Sequence, residues 1–217
     1  ILNKTSGIVT ATVSADTAAN LNTNLVNATA TDALSLTVTD TNLSSLTNLL
    51  ALDAKTSVVV NASNITAISE TYANLNTAYS SAGISGLGNE AVTITDTQSA
   101  TNVNTILGKT TGVVTAIVSA DTASNLNSAL TNATSTDALT LTINDTSLTS
   151  VSDLLALDGK TNVAVNASSV NSMTDTYTNL NLAYNAGIAG TISGLGNEAV
   201  TISDTTSAAN VNTIAGR

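Results

Sequence analysis

The sequence predicts an α/β repeat solenoid of eight strand-turn-helix coils with a parallel sheet on one face, and three observations point there. The chain is one sequence written twice. Ser14-Ala15-Asp16-Thr17 recurs as Ser119-Ala120-Asp121-Thr122, Leu50-Ala51-Leu52-Asp53 as Leu155-Ala156-Leu157-Asp158, and Tyr72 and Tyr79 as Tyr177 and Tyr184. Within each copy a shorter pattern recurs: alternating apolar and polar residues, a small polar turn, then helical spacing. The apolar residues are nearly all Val, Ile, Leu and Ala, because the chain has four Tyr and no Phe or Trp. Small aliphatic side chains suit thin layers, and tandem periodicity signals units that bury their apolar faces on one another. The expected organisation is a first repeat over 1–105 and a second over 106–217, four coils each, in one continuous solenoid. A short insertion near 189–192 lies in the second repeat, so that Gly88-Asn89-Glu90-Ala91 meets Gly196-Asn197-Glu198-Ala199.

Eight strands are expected, at Val9–Ser14, Leu34–Thr39, Val58–Asn61, Val92–Thr95, Val114–Ser119, Leu139–Asn144, Val163–Asn166 and Val200–Ser203. Period two is clearest where Leu34, Leu36 and Val38 share one side and Ser35, Thr37 and Thr39 the other. Helical spacing follows the strands: Ile65, Ile68, Tyr72, Leu75 and Tyr79 form one stripe, and Leu43, Leu46, Leu49 and Leu50 a shorter one. Strand, helix, strand in succession describes parallel pairing through crossovers. Asp40, Asp96, Asp145 and Asp204, each followed by Thr, sit where the N-cap of the next helix belongs, with Asp16, Ser63, Asp121 and Ser168 doing that work in the other coils. The Gly83–Gly88 segment reads as a helix stop and return loop, not a phosphate loop, because it follows a helix and precedes a strand. The insertion falls in the matching segment and is expected in a surface loop.

The charges alternate in sign at the strand entries: Lys4, Asp32, Lys55, Glu90, Lys109, Asp137, Lys160, Glu198 and then Arg217. That order predicts opposite charges side by side in adjacent coils. A net charge of −10 with only five Lys and Arg excludes nucleic acid and anionic membrane surfaces as partners. No apolar run reaches the roughly 20 residues of a membrane helix. The absence of Cys excludes disulfides, and with no His either the commonest general base, thiol nucleophiles and the usual transition-metal ligands are missing. Nearly every acid has a copy one repeat later, whereas an active site needs one asymmetric constellation. The chain is therefore expected not to be an enzyme, with no catalytic residues and no cofactor. Calcium is the one metal weighed, with Asp16, Asp40, Asp96, Asp121, Asp145 and Asp204 as candidate ligands, although neither an EF-hand loop nor a Gly-Gly-x-Gly-x-Asp nonapeptide is present.

One polar ladder stands out: Ser14, Thr39, Asn61, Thr95, Ser119, Asn144, Asn166 and Ser203 end the strands. Two positions earlier come Thr12, Thr37, Val59, Thr93, Ile117, Thr142, Ala164 and Thr201. Such a face would suit ice, a glycan or a host-surface receptor. With the segment Val9–Leu21 and its copies, the chain resembles the Thr/Asn/Ala/Val-rich tandem repeats of very large secreted bacterial surface proteins: adhesin stalks, surface-layer-like proteins and matrix filaments. The coil pattern is also similar in outline to leucine-rich-repeat solenoids, without their consensus. The resemblance implies an extracellular or cell-surface location and a stalk, spacer or filament wall cut from a longer array. Its expected partners are copies of itself or adjacent repeats of the same chain, assembling end to end. A binding module using the polar strand face, or a phage or secretion fibre, is the alternative.

Overall fold

The computed structural model describes all 217 residues. In chain order the elements are β1 (Thr10–Thr12), α1 (Ala18–Asn24), β2 (Ala33–Ser35), β3 (Asn42–Leu43), α2 (Thr47–Asp53), β4 (Val60–Asn61), β5 (Ala67–Glu70), α3 (Tyr72–Ser80), β6 (Ile84–Ser85), β7 (Ala91–Ile94) and α4 (Ala100–Leu107). They continue with β8 (Val114–Ile117), α5 (Ala123–Ala129), β9 (Ala138–Thr140), β10 (Ser147–Leu148), α6 (Ser152–Asp158), β11 (Val165–Asn166), β12 (Ser172–Asp175), α7 (Tyr177–Ala189), β13 (Ile192–Ser193), β14 (Ala199–Ile202) and α8 (Ala208–Ala215).

Contacts divide the chain into two units, Ile1–Asp96 with Thr105–Val114, and Thr97–Asn104 with Thr115–Arg217. In the first, β1 pairs β2, β4 pairs β6, and β3-β5-β7 run side by side. In the second, β8 pairs β9, β10-β12-β14 form a three-stranded sheet, and β11 pairs β13. The registers are parallel, for example Ala67↔Ala91 and Ser172↔Ala199. The core of the first unit is aliphatic: Leu34, Leu36 and Val38 point inward, with Leu46, Leu49, Leu52 and Leu75 behind them on the helical side. Leu139, Leu141 and Ile143, with Leu154, Leu157 and Leu180, repeat the arrangement in the second.

This architecture corrects the expected solenoid. The chain is an α/β fold whose strands divide among five separate small sheets of two to five strands, not eight coils feeding one continuous parallel sheet. The cause is local: strands of two to four residues end at polar turns, and the apolar spacing read as helix supplies additional strands. Ile65 and Ile68 belong to the approach to β5 and to β5 itself, and α3 begins only at Tyr72. Leu43 likewise lies in β3, with α2 starting at Thr47. Spacing of i, i+3 fits a turn leading into a strand as well as a helix, and the sheet pairing of Ala67–Glu70 with Ala91–Ile94 decides between them.

The resemblance to adhesin stalks, surface-layer proteins and filaments falls with the solenoid, and so does the end-to-end stalk or filament function. The polar ladder is divided too. Thr12 lies in β1, Asn61 in β4, and Thr93 in β7 beside β5, so no single sheet carries the ladder as one flat face. The insertion lengthens a helix where a surface loop was expected: α7 has 13 residues against nine in α3. It stops at Gly190, whose φ of 80° lets the last turn close in the left-handed conformation.

Candidate functional site

The aspartates singled out from the sequence hold helix starts, and mostly not their own. Asp40 accepts from the amide of Ala18 at 2.7 Å, Asp145 from Ala123 at 2.7 Å, Asp96 from Tyr72 at 2.9 Å and Asp204 from Tyr177 at 2.8 Å. Each carboxylate therefore caps the helix 22 to 27 residues earlier in the chain, which corrects the expectation that it caps the next one. Glu70 and Asp175 do the same for Leu46 and Val151, at the starts of α2 and α6. Amides at a helix start lack intrahelical partners, and a carboxylate suits both the free donor and the positive end of the helix dipole.

Asp16 and Asp121 instead serve the helix that follows. Their Oδ1 atoms accept from Thr17 and Thr122 amides and from the side chains of Asn20 and Asn125. Those bonds, with the Asn side chains contributing most, hold both carboxyls below the usual range. Thr17 and Thr122 complete the cap by accepting from the amides of Asn20 and Asn125. Ser63 and Ser168 cap no helix; their amides donate to Asn61 and Asn166. The structure gathers no three acidic side chains into a group able to hold a metal, and the six calcium candidates divide among four helix starts, Asp16 with Asp40 at α1, Asp121 with Asp145 at α5, Asp96 at α3 and Asp204 at α7.

The alternating charges also find partners other than one another. Lys55 donates to the carbonyl of Leu25, and Lys160 to those of Asn127 and Leu130. Asp32 accepts from the amides of Val9 and Thr29, which lower its pKa. The expected charge-to-charge register is thus replaced by charge-to-backbone bonds. Desolvation penalises an ion pair in a tight turn, whereas unpaired turn amides and carbonyls are already there to be satisfied.

One constellation recurs in both copies, and it is the candidate site. In the first copy, Glu90 is fully buried; its carboxylate accepts from the amides of Gly88 and Asn89, and the Tyr79 hydroxyl donates to it. The extended segment Thr110–Val114 lies over this turn. The Thr110 hydroxyl donates to the Glu90 carbonyl at 2.6 Å, the Thr111 amide to the Gly88 carbonyl at 2.9 Å, and the Val92 amide to the Val113 carbonyl at 2.9 Å. Gly112 is there because a Cβ would stand 2.3 Å from the Glu90 carbonyl oxygen. In the second copy, Glu198 accepts from Gly196 and Asn197 in the same way and from Tyr184, whose hydroxyl is pushed up by burial and by this bond.

Tyr184, Gly196, Glu198, Val200, Ile202, Val211, Ile214 and Arg217 line a recess of about 320 Å³. Helix α7 contributes Tyr184, α8 contributes Val211 and Ile214, and β14 forms the wall. The amides of Ala199 and Ser203 bond to Asn171 and Asp175 on the β12 side, so by strand alternation those of Val200 and Ile202 face the recess. Val211 is 49% exposed, while its copy Val103 is fully buried. Arg217 is held by the side-chain oxygens of Asn181 and Asn185. A tyrosine donating to a carboxylate already satisfied by two amides offers neither a nucleophile nor a free base.

Sequence reasoning placed Glu90 and Glu198 only in the charge series and missed Tyr79 and Tyr184 as their partners. The signal was present: the Tyr and the Gly-Asn-Glu recur together in both copies, with only the insertion between them changed. Likewise the run Asp16-Thr17-x-x-Asn20 recurs as Asp121-Thr122-x-x-Asn125 and Asp175-Thr176-x-x-Asn179, and each instance opens a helix. No helix is long and apolar enough to cross a membrane. Compared with protein-family models, with curated proteins and with solved structures, the chain finds no match, and its function rests on the site itself.

Proposed function

We propose that this protein is a non-enzymatic interaction module. The observation that carries this reading is the duplicated Tyr–Glu turn, whose carboxylate in both copies is taken up by two backbone amides and a tyrosine hydroxyl and so is left no acid–base work. The non-catalytic part is supported by the destinations of the acids, whose oxygens accept from helix-start and turn amides. An extracellular or cell-surface location belongs to the same reading and is supported by the acidic, lysine-poor, Thr- and Asn-rich composition.

The test is selection of binders from peptide and glycan display libraries, run beside a screen for hydrolase activity. Saturable binding without turnover is expected; turnover of a substrate, or failure of every ligand to bind, would end this reading.

A further inference from the structure

We propose that the free edge of β10 and the cleft beside it hold an arginine side chain of an extended, basic polypeptide, an inference that rests on the interaction-module reading above and names its partner. β10 is the outer strand of the order β10-β12-β14. On its free side Ser147 and Leu148 line a cleft of about 240 Å³ together with Ser124, at the start of α5. The Asn171 amide donates to the Thr146 carbonyl at 2.8 Å, and Ser147 and Leu148 pair with Ser172 and Met173. Thr146 and Leu148 thus turn their main-chain groups to β12. By strand alternation those of Ser147 turn to the cleft, where no other main chain meets them.

Two carboxylates line the same cleft, and each has one oxygen engaged inside the chain. Asp145 Oδ2 accepts from the amide of Ala123 at 2.7 Å, and Asp153 Oδ1 from the side chain of Asn127 at 2.8 Å. Their second oxygens, and the exposed hydroxyls of Ser124 and Thr149, are left to a ligand. Lys160 is attracted to Asp153, but its ammonium is seated on the carbonyls of Asn127 and Leu130 and does not line the cleft. The charge is particular to this copy: Asn48 stands where Asp153 does, accepting from Asn22 in the same way, and Ala19 stands where Ser124 does. Arginine matches these groups. Its planar fork carries five donors for carboxylate and hydroxyl acceptors, its stem covers the buried Leu148, and the main chain on either side reaches Ser147. The cleft is smaller than the roughly 300–1,000 Å³ of small-molecule pockets and suits one long side chain. With a net charge of −10 and only five Lys and Arg, a second copy of this chain is a poor source of that cation, so complementarity selects a basic partner.

The experiment titrates a fluorescently labelled peptide, Thr-Val-Arg-Val-Thr, against the full 217-residue chain, read by anisotropy. Saturable binding is expected, with slowed hydrogen exchange at the Ser147 amide in the complex. The same peptide with lysine in place of arginine should bind about tenfold more weakly, because a point charge replaces the fork. With glutamine there it should not bind. In the protein, Asp153→Asn should weaken binding by about tenfold or more, the order set by a hydrogen bond to a charged group. Its Tm should stay unchanged, since Asn48 already makes the matching bond in the first copy. Equal binding of the glutamine peptide, undiminished binding to Asp153→Asn, or an unprotected Ser147 amide overturns the arginine assignment. So does failure of the arginine peptide to bind; the interaction-module reading then stands if the display libraries yield another ligand, and falls if they yield none.

Discussion

Replacing Thr56 by valine removes a hydroxyl and almost no volume, so the cost reports hydrogen bonding and not a cavity. The Thr56 hydroxyl accepts from the amides of Leu34 at 2.9 Å and Val58 at 3.0 Å, and donates to the Leu34 carbonyl at 2.8 Å. In the variant the Leu34 amide is left unpaired inside the protein, which costs about 1–3 kcal/mol, and the more exposed Val58 amide adds a smaller share. A total of about 2–3 kcal/mol corresponds to a Tm lower by roughly 4–12 °C for a chain of this size. Thr161→Val should cost the same, since its hydroxyl makes the matching bonds to Leu139 and Val163. Thr5→Val is the internal control: Thr5 is exposed, bonds only the amide of Gly7 at 3.0 Å, and should cost less than about 0.5 kcal/mol. Scanning calorimetry and urea midpoints at neutral pH measure all three, with Thr56→Ser expected to restore most of the loss. The reasoning is refuted if Thr56→Val lies within about 0.5 kcal/mol of the parent, or if Thr5→Val is equally costly.

Two further expectations concern the carboxylates and tyrosines. Asp40→Ala and Asp145→Ala should each cost about 1 kcal/mol, the usual worth of a helix cap, and speed hydrogen exchange at Ala18 and Ala123 respectively; unchanged exchange there would reject capping by the distant carboxylate. In acid, Asp16, Asp32, Asp121, Asp175 and Glu70 all lie below their ordinary values. For Glu70 and Asp175 burial pushes upward, but bonds from the amides of Thr71 and Leu46, and of Val151 and Thr176, outweigh it. Their contribution is complete above the unfolded values of about 4 and is lost as pH falls through and below that point. Tyr79 and Tyr184 are raised by burial and by their glutamates, so their contribution is complete below pH of about 10 and is lost as pH rises beyond it. Urea midpoints measured across pH should fall at both ends; a flat acid limb would contradict the capping bonds.

Some of this fold was legible residue by residue. The alternation of Leu34, Leu36 and Val38 against Ser35 and Thr37 shows which side chains turn inward, because period two is a property of the extended backbone itself. The Asp-Thr-x-x-Asn runs mark helix starts for a similar reason, since every bond in them spans four residues or fewer. The stripe from Ile65 to Tyr79 was read wrongly because spacing alone does not distinguish a turn and strand from a helix, and only the pairing of β5 with β7 separates them. The paired charges were read wrongly for a related reason: order along the chain shows that Lys55 and Glu90 alternate, but not that Lys55 finds the carbonyl of Leu25 first.

The amino-acid sequence by itself determined the duplication, the aliphatic interior and the local helix starts, all set by neighbours a few positions apart. Tertiary structure alone decided how fourteen short strands divide among five sheets, and which distant carboxylate reaches each helix amide. Those outcomes depend on what distant parts of the chain bring within hydrogen-bonding distance.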